Sequence, residues 1–442
     1  MNKINYLIIS FFLINNCSFD NKTGIWTGSD QITKKENNSK QNTEFIFKKQ
    51  NITIGEIDLS TEQTIKIDKL KNYNEWSQRY QNKSNNINNV TFLNEGNYQK
   101  LSKISNTRVN KNILVYENNL FFSDSRGNIG AFSLRENKLL FKYNFYKKKL
   151  KKFKKEIKLI VKENTIIAVD NFGYIYSIDY KQKKIIWAKN FLIPFRSNLK
   201  IINETLFVSD EKNKVILINI KNGDKIDELY TQPSQAVSDF ESNLAVDNNN
   251  NLLFMSTSGI LYSLNFINNK SINWIINFKQ DSEMIYKGNP IIVSKDKIII
   301  SSKDNISLVN VNGAKIWDLN IKSNLSPIVS GNTIFTVNKD NYLILINKNT
   351  GQIIFSKNIY SLITKEFQKN LKRKIKKISH IYLTGNKLLL ISENSFFIEV
   401  NLKNIINVNS IKKNPFKIFS DVIFYDKKMV FINKSNRIYK VN

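Results

Sequence analysis

Histidine and cysteine each occur once in the 442 residues, at His380 and Cys17. A lone cysteine can form no intrachain disulfide and no Cys-rich zinc or iron–sulfur site. A lone histidine makes no His-cluster metal site, and a Ser-His-Asp relay could run only through His380, which has no Ser or Cys nucleophile pattern near it. No acid-rich constellation suggests a metal cage. The expectation is a protein with no catalytic residue, no metal and no cofactor. Two short loop stretches carry the remaining polar chemistry, Ile193-Pro194-Phe195-Arg196-Ser197 and Ser238-Asp239-Phe240-Glu241-Ser242. Taken alone, Arg196 reads as a solvated loop arginine, and Asp239 and Glu241 read as turn-capping acids.

The N-terminus has the order of an export signal. Lys3 gives a short positive region, and Tyr6 to Ile14 is apolar except for Ser10. That run is too short to cross a hydrocarbon core of about 30 Å as a helix. It suits a signal-peptide core, and it stops just before Cys17. The pattern is that of a bacterial lipoprotein signal, with residues 1–16 removed and Cys17 lipidated. Asn16 departs from the small residue expected before the cleavage site. Residues 17–42 then read as the lipidated cysteine and a polar tether.

Lys and Arg number 67 against 37 Asp and Glu, a formal net charge of +30. A polyanionic partner is one explanation. The other is general over-use of Lys, Asn and Ile, as AT-rich coding would produce, and Asn-rich stretches such as Asn85–Asn89 and Asn248–Asn251 favour it. Two basic stretches stand apart, Lys147–Lys158 and a segment near 359–378. In the second, Ile359, Leu362, Ile363, Phe367, Leu371, Ile375 and Ile378 recur at three- and four-residue steps among lysines. That pattern predicts an amphipathic helical insert, packed on a blade edge or lying on an anionic surface.

Positioning these residues requires a scaffold, and the scaffold is repetitive. Ile166–Asp179 shows the unit: an apolar strand, a short polar turn, and a second strand with alternating apolar positions. Its turn residue recurs at Gly127, Gly173, Asn213, Gly259, Asn305, Asn341, Ser395 and Asn436. Gly or Asn there tolerates the positive φ of a tight hairpin. The mean spacing is about 44 residues, and the alternation has period two, which excludes a helical solenoid. A bulky aromatic (Phe141, Trp187, Trp274, Trp317 or Phe355) follows the turn in five copies. Such a residue is expected to fill the gap between neighbouring blades. The prediction is an all-β chain, an eight-bladed β-propeller of four-stranded antiparallel blades spanning 43–442. The last hairpin ends at Val441-Asn442, so the eighth blade needs an N-terminal strand to close it. The alternating stretch Thr64–Asp68 is the expected source.

These features together resemble the quinoprotein-like eight-bladed propellers, most closely the BamB-type outer-membrane assembly lipoproteins. The resemblance covers roughly residues 60–442 and the lipoprotein signal. It rests on the repeat, on the Arg-bearing loop after Trp187, and on the two acids one residue apart ahead of Leu244-Ala245-Val246. It also draws, weakly, on Asn74-Glu75-Trp76-Ser77-Gln78. The resemblance implies a non-enzymatic scaffold anchored at the periplasmic face of the outer membrane. That scaffold is a monomer within a hetero-complex and binds no nucleic acid. Pro194, Phe195, Arg196, Asp239 and Glu241 would dock the central subunit of the barrel-assembly complex, with Phe195 as apolar anchor and Arg196 as charged hot spot. Two alternatives remain. One is a surface-binding propeller for anionic lipid or cell-wall polymer. The other is a quinone-dependent dehydrogenase, which lacks support because that branch carries an adjacent cysteine pair and a calcium cage.

Overall fold

The computed structural model describes residues 55–60, 63–146, 150, 152–232, 241–266, 270–279, 285–364, 370–403 and 405–442. Cys17, the expected signal and tether, and Asp239 lie outside them. The described strands form eight four-stranded antiparallel sheets, each an up-and-down meander. Blade 1 is the simplest: β2 (Leu114–Tyr116), β3 (Asn119–Ser123), β4 (Asn128–Ser133) and β5 (Lys138–Asn144), from the axis outward. Blades 2 to 7 repeat it. Blade 8 holds β30 (Ile423–Tyr425), β31 (Lys428–Ile432) and β32 (Arg437–Val441) and takes its outer strand from β1 (Tyr98–Lys103).

Seven of the eight turn markers behave as their chemistry requires, and Asn305 does not adopt positive φ. Gly127, Gly173, Asn213, Gly259, Asn341, Ser395 and Asn436 all have positive φ, between 60° and 91°. Most of these hairpins are closed by an Asx turn. In blade 2, Asp170 Oδ1 accepts from the backbone N–H of Phe172 and of Tyr174, each at 2.8 Å.

The aromatic wedges are also local chemistry with a distant partner. Trp187, Trp274 and Trp317 stand on the outer strands of blades 2, 4 and 5 and reach the next blade's outer turn. Their indole N–H groups donate to Ile220 O, Val311 O and Lys348 O at 2.8–2.9 Å. Each ring lies on a glycine of that turn, where a Cβ on Gly223, Gly313 or Gly351 would come within 2.5–2.8 Å of it. Blades 2, 4 and 5 therefore each end in a hook that a glycine in the next blade receives.

The closing strand differs from the expectation. β1 pairs with β32 in the register Tyr98↔Val441 and Gln99↔Lys440, so closure falls to 98–103 and not to 64–68. Residues 64–68 instead lie along blade 6. Lys66 N–H donates to Asn332 Oδ1 and Asp68 N–H to Ser330 Oγ, while Ile65 and Ile67 pack on the core of blades 6 and 7. Both segments alternate apolar and polar residues, and only the path of the chain between them decides which reaches the open edge.

That path crosses the axial channel. The innermost strand of every blade presents unpaired backbone groups to the axis, and residues 73–93 satisfy them blade after blade. Trp76 N–H donates to Val115 O (2.6 Å) and Trp76 O accepts from Val115 N–H (3.1 Å), Val161 N–H reaches Ser77 O (2.7 Å), and Val246 N–H reaches Lys83 O (3.0 Å). Val293 N–H bonds Ser84 O (2.9 Å), and Val90 and Leu93 N–H bond Leu383 O and Lys427 O. Asn85 Nδ2 donates to Leu244 O and Ile291 O at 2.9 Å, and Asn86 to Val329 O at 3.2 Å. Blade 3 contributes the fully buried Lys200, whose Nζ donates to Asn85 Oδ1, Asn82 O and Gln78 Oε1. The asparagine run that looked like compositional bias is thus the lining of a plug.

Of the stretch 359–378, residues 370–372 are helical and Ile378 already begins β26 (Ile378–Thr384). Ile359, Leu362, Ile363 and Ile375 are buried between blades 6 and 7, while Lys372, Arg373 and Lys374 are exposed.

Candidate functional site

The connectors that lead into the innermost strands and the turns between second and third strands gather on one face of the ring. There Val109, Phe195, Gly288 and Ile418 each bridge to the neighbouring turn, at Asp124, Asp210, Ser302 and Asn433. Residues 191–199, between β9 (Lys184–Asn190) and β10 (Lys200–Ile202), lie on this face and contain the predicted docking loop. Phe195 is only 2% exposed and packs edge-to-face on Phe191 at 5.7 Å. It packs into the core of blades 2 and 3 and presents almost no side-chain surface to solvent. Pro194 O accepts from Glu211 N–H at 2.9 Å, and the Arg196 guanidinium lies 3.8 Å from Glu211.

The apolar tip of this loop is Leu192, which is 86% exposed. Its φ of 61° is a conformation that a branched apolar residue rarely adopts. Leu192 N–H donates to Asn190 Oδ1 at 2.9 Å, and Phe191 N–H to Gly173 O at 2.8 Å. Gly173 has no room for a Cβ, which would meet Ile193 backbone atoms at 2.8 Å. These contacts hold Leu192 in its left-handed conformation with its side chain in water. The sequence signal for it was weak, since one Leu beside Ile193-Pro194 looks like any loop hydrophobe.

Glu241 turns inward. Its carboxylate meets the Arg79 guanidinium, which comes from the plug, and lies 3.2 Å from Lys158 Nζ. Asp421 completes the group at 3.7 Å from Arg79 Nε. Burial alone raises the pKa of Glu241, but Arg79 and Lys158 outweigh it and hold the carboxylate below its ordinary value. Asp421 sits farther from the cation, and burial leaves it raised. Lys158 also donates to Arg196 O at 2.6 Å and Ser197 O at 2.8 Å. Arg196 and Glu241, predicted as neighbours across adjacent blades, are therefore joined through Lys158. Arg79 was not legible as a member of this group, because it lies 162 residues from Glu241 in the chain.

Beside this network the channel retains a cavity of about 150 Å³, lined by Trp76, Arg79, Tyr80, His380, Tyr382 and Asp421 among others. His380 stacks on Tyr382 at 6.2 Å. Burial, with Lys111 adding to it, lowers its pKa to about 4. Ser379 Oγ stands 3.0 Å from His380 Nδ1, and it also donates to Ile391 O at 3.0 Å. Among the described residues no group of three or more His, Cys, Asp or Glu could hold a metal ion.

The family model described as outer membrane protein assembly factor BamB matches residues 125–357, more than half of the chain. No curated protein sequence matches it. Among solved structures, the crystal structure of BamB from Moraxella catarrhalis superposes with a TM-score of 0.59 at 10% identity, covering 77% of this chain and 99% of that one. The computationally designed Ika8 protein superposes with a TM-score of 0.54, also at 10% identity, over 77% of this chain and 98% of its own. These likenesses concern the fold, since a designed ring matches nearly as well as a natural one. On the match that covers most of the repeats, the chain belongs to the family of the outer membrane protein assembly factor BamB.

Proposed function

We propose that the protein is a non-enzymatic scaffold of outer-membrane β-barrel assembly. In this reading it is held at the periplasmic face of the outer membrane by a lipid on Cys17. It docks the central subunit of the assembly complex through the blade 2–4 connectors. The observation that carries the reading is Leu192, exposed and strained beside Arg196 on the face that gathers the connectors. Arginine is among the residue types that dominate interface hot spots, and an exposed apolar tip beside it adds surface that a partner can bury. Pro194, Arg196 and Asp239 belong to the same docking surface, with Phe195 holding the loop from beneath and Glu241 holding it through Lys158.

The channel favours a scaffold over a quinone-dependent dehydrogenase. The plug at 73–93 takes the axis, and the cavity that remains is about 150 Å³. Small-molecule and cofactor sites usually measure about 300–1,000 Å³, and the smaller channel cavity supports the scaffold reading. The test is capture of the assembly subunit by the full chain and by Leu192→Asp, Arg196→Ala and Asp239→Ala variants. Loss of about tenfold or more in affinity with Leu192→Asp is expected. Unchanged capture by all three variants would remove the site, and absence of capture by the wild type would remove the function.

A further inference from the structure

A second surface on the same face has a different chemistry. Next to the channel mouth a groove of about 280 Å³ continues into one of about 870 Å³, and the two share Arg108, Ser125 and Lys154. Arg126 and Lys152 line the outer part, and Lys111 and Lys158 the inner part. Lys417 and Lys434 flank it from blade 8, close enough to Arg108 that the three cations repel one another and the Lys434 pKa is lowered, first by Lys417. Arg108, Arg126, Lys152, Lys417 and Lys434 are all exposed. Among the described residues none of these five is ion-paired to a carboxylate.

The groove is built, not incidental. Lys155, next in the chain to the groove residue Lys154, is fully buried, and its Nζ donates to Leu150 O and, at 2.7 Å, to Phe153 O. Lys155 N–H donates to Ser125 O at 2.9 Å. These bonds fix the wall that carries Lys152 and Lys154. Aromatic surface is interleaved with the charge. Phe153 is 48% exposed with Lys152 Nζ 5.3 Å from its ring, and Arg108 lies 4.8 Å over the ring of Phe419.

Glu156 and Glu241 line the inner groove and pair with Lys154 and Lys158, whereas the five exposed cations stand together without a carboxylate of their own, an arrangement that an anionic partner would relieve. We propose that this groove is the binding site for an acidic polypeptide segment, an extended chain in which carboxylates alternate with apolar side chains. Concavity argues against a lipid surface, because a flat bilayer cannot reach cations on the floor. The exposed Phe153 ring argues for a peptide over a phosphate polymer, which has no apolar side chains to place there. The inner groove adjoins the docking loop through Lys158, which bonds Arg196 O, while the outer groove with its five exposed cations does not depend on the identity of the subunit docked at Leu192.

The test uses the full chain and a fluorescein-labelled peptide of alternating Glu and Leu, followed by anisotropy across a salt series. Lys417→Glu with Lys434→Glu, and separately Arg108→Glu, should each weaken binding by about tenfold or more. Reversal of two exposed lysines on outer strands, Lys142→Glu with Lys184→Glu, should leave it within about twofold. Thermal melts confirm that each variant folds, and the exposed Lys417 and Lys434 pair serves where Arg108→Glu does not. Equal losses in the groove and control variants would overturn the site. Binding of polyphosphate or phosphatidylglycerol vesicles in place of the peptide would overturn the assignment of its ligand.

Discussion

The guanidinium of Arg79 meets the carboxylate of Glu241 across 162 residues of sequence, joining the plug to the connector that leads into blade 4. Each side chain is 26% exposed, so the pair is screened less than a surface ion pair. Its removal leaves Lys158 with one carboxylate fewer and Asp421 without its cation.

Arg79→Ala and Glu241→Gln should each destabilise the fold by about 1–3 kcal/mol, since a half-buried charge loses its partner. The double variant should lose less than the sum. Urea denaturation of all four proteins measures the coupling, and strict additivity would mean that the two groups act independently.

His380 makes the fold acid-sensitive. Its native pKa is lowered to about 4, by burial first and then by Lys111, whereas an unfolded imidazole titrates near 6.5. Between those values the unfolded chain takes up a proton that the native one refuses. The stabilisation is therefore complete above about pH 6.5 and is lost as pH falls toward 4. The loss should reach up to about 3 kcal/mol. His380→Gln, which cannot titrate, should flatten this part of the stability profile. An unchanged slope in chemical denaturation between pH 4 and 7 would place the acid sensitivity in other groups.

The hook between blades 2 and 3 is equally specific. A Cβ on Gly223 would stand 2.5 Å from the Trp187 ring, and the residue has a φ of 76°. Gly223→Ala should cost about 1–3 kcal/mol and displace the indole from Ile220 O. Trp187→Phe removes the hydrogen bond and relieves part of the clash, so the double variant should recover some stability over Gly223→Ala alone. Thermal melts and tryptophan fluorescence report both effects.

Sequence alone determined the blade. Strand alternation, a turn residue that tolerates positive φ, and an aromatic at a near-fixed distance are interactions within some tens of residues, and they repeat. Eight copies announce a ring because no blade can cover its own faces. The single His and Cys and the two loop stretches were also legible, and Lys158 joins Arg196 to Glu241.

Only the tertiary structure decided what the leader does. Thr64–Asp68 and Tyr98–Lys103 alternate alike, and which of them closes the ring depends on the route between. That route was hidden in Asn82–Asn89, a run indistinguishable by composition from coding bias. Its amides become structural only because carbonyls from blades 4, 5 and 6 converge on the axis. In the same way Phe195 and Leu192 are both loop hydrophobes by type, and the packing of blade 3 buries the first and leaves the second in water. Local periodicity is written along the chain, whereas partners for buried polar groups are supplied by segments that meet only after the ring has closed.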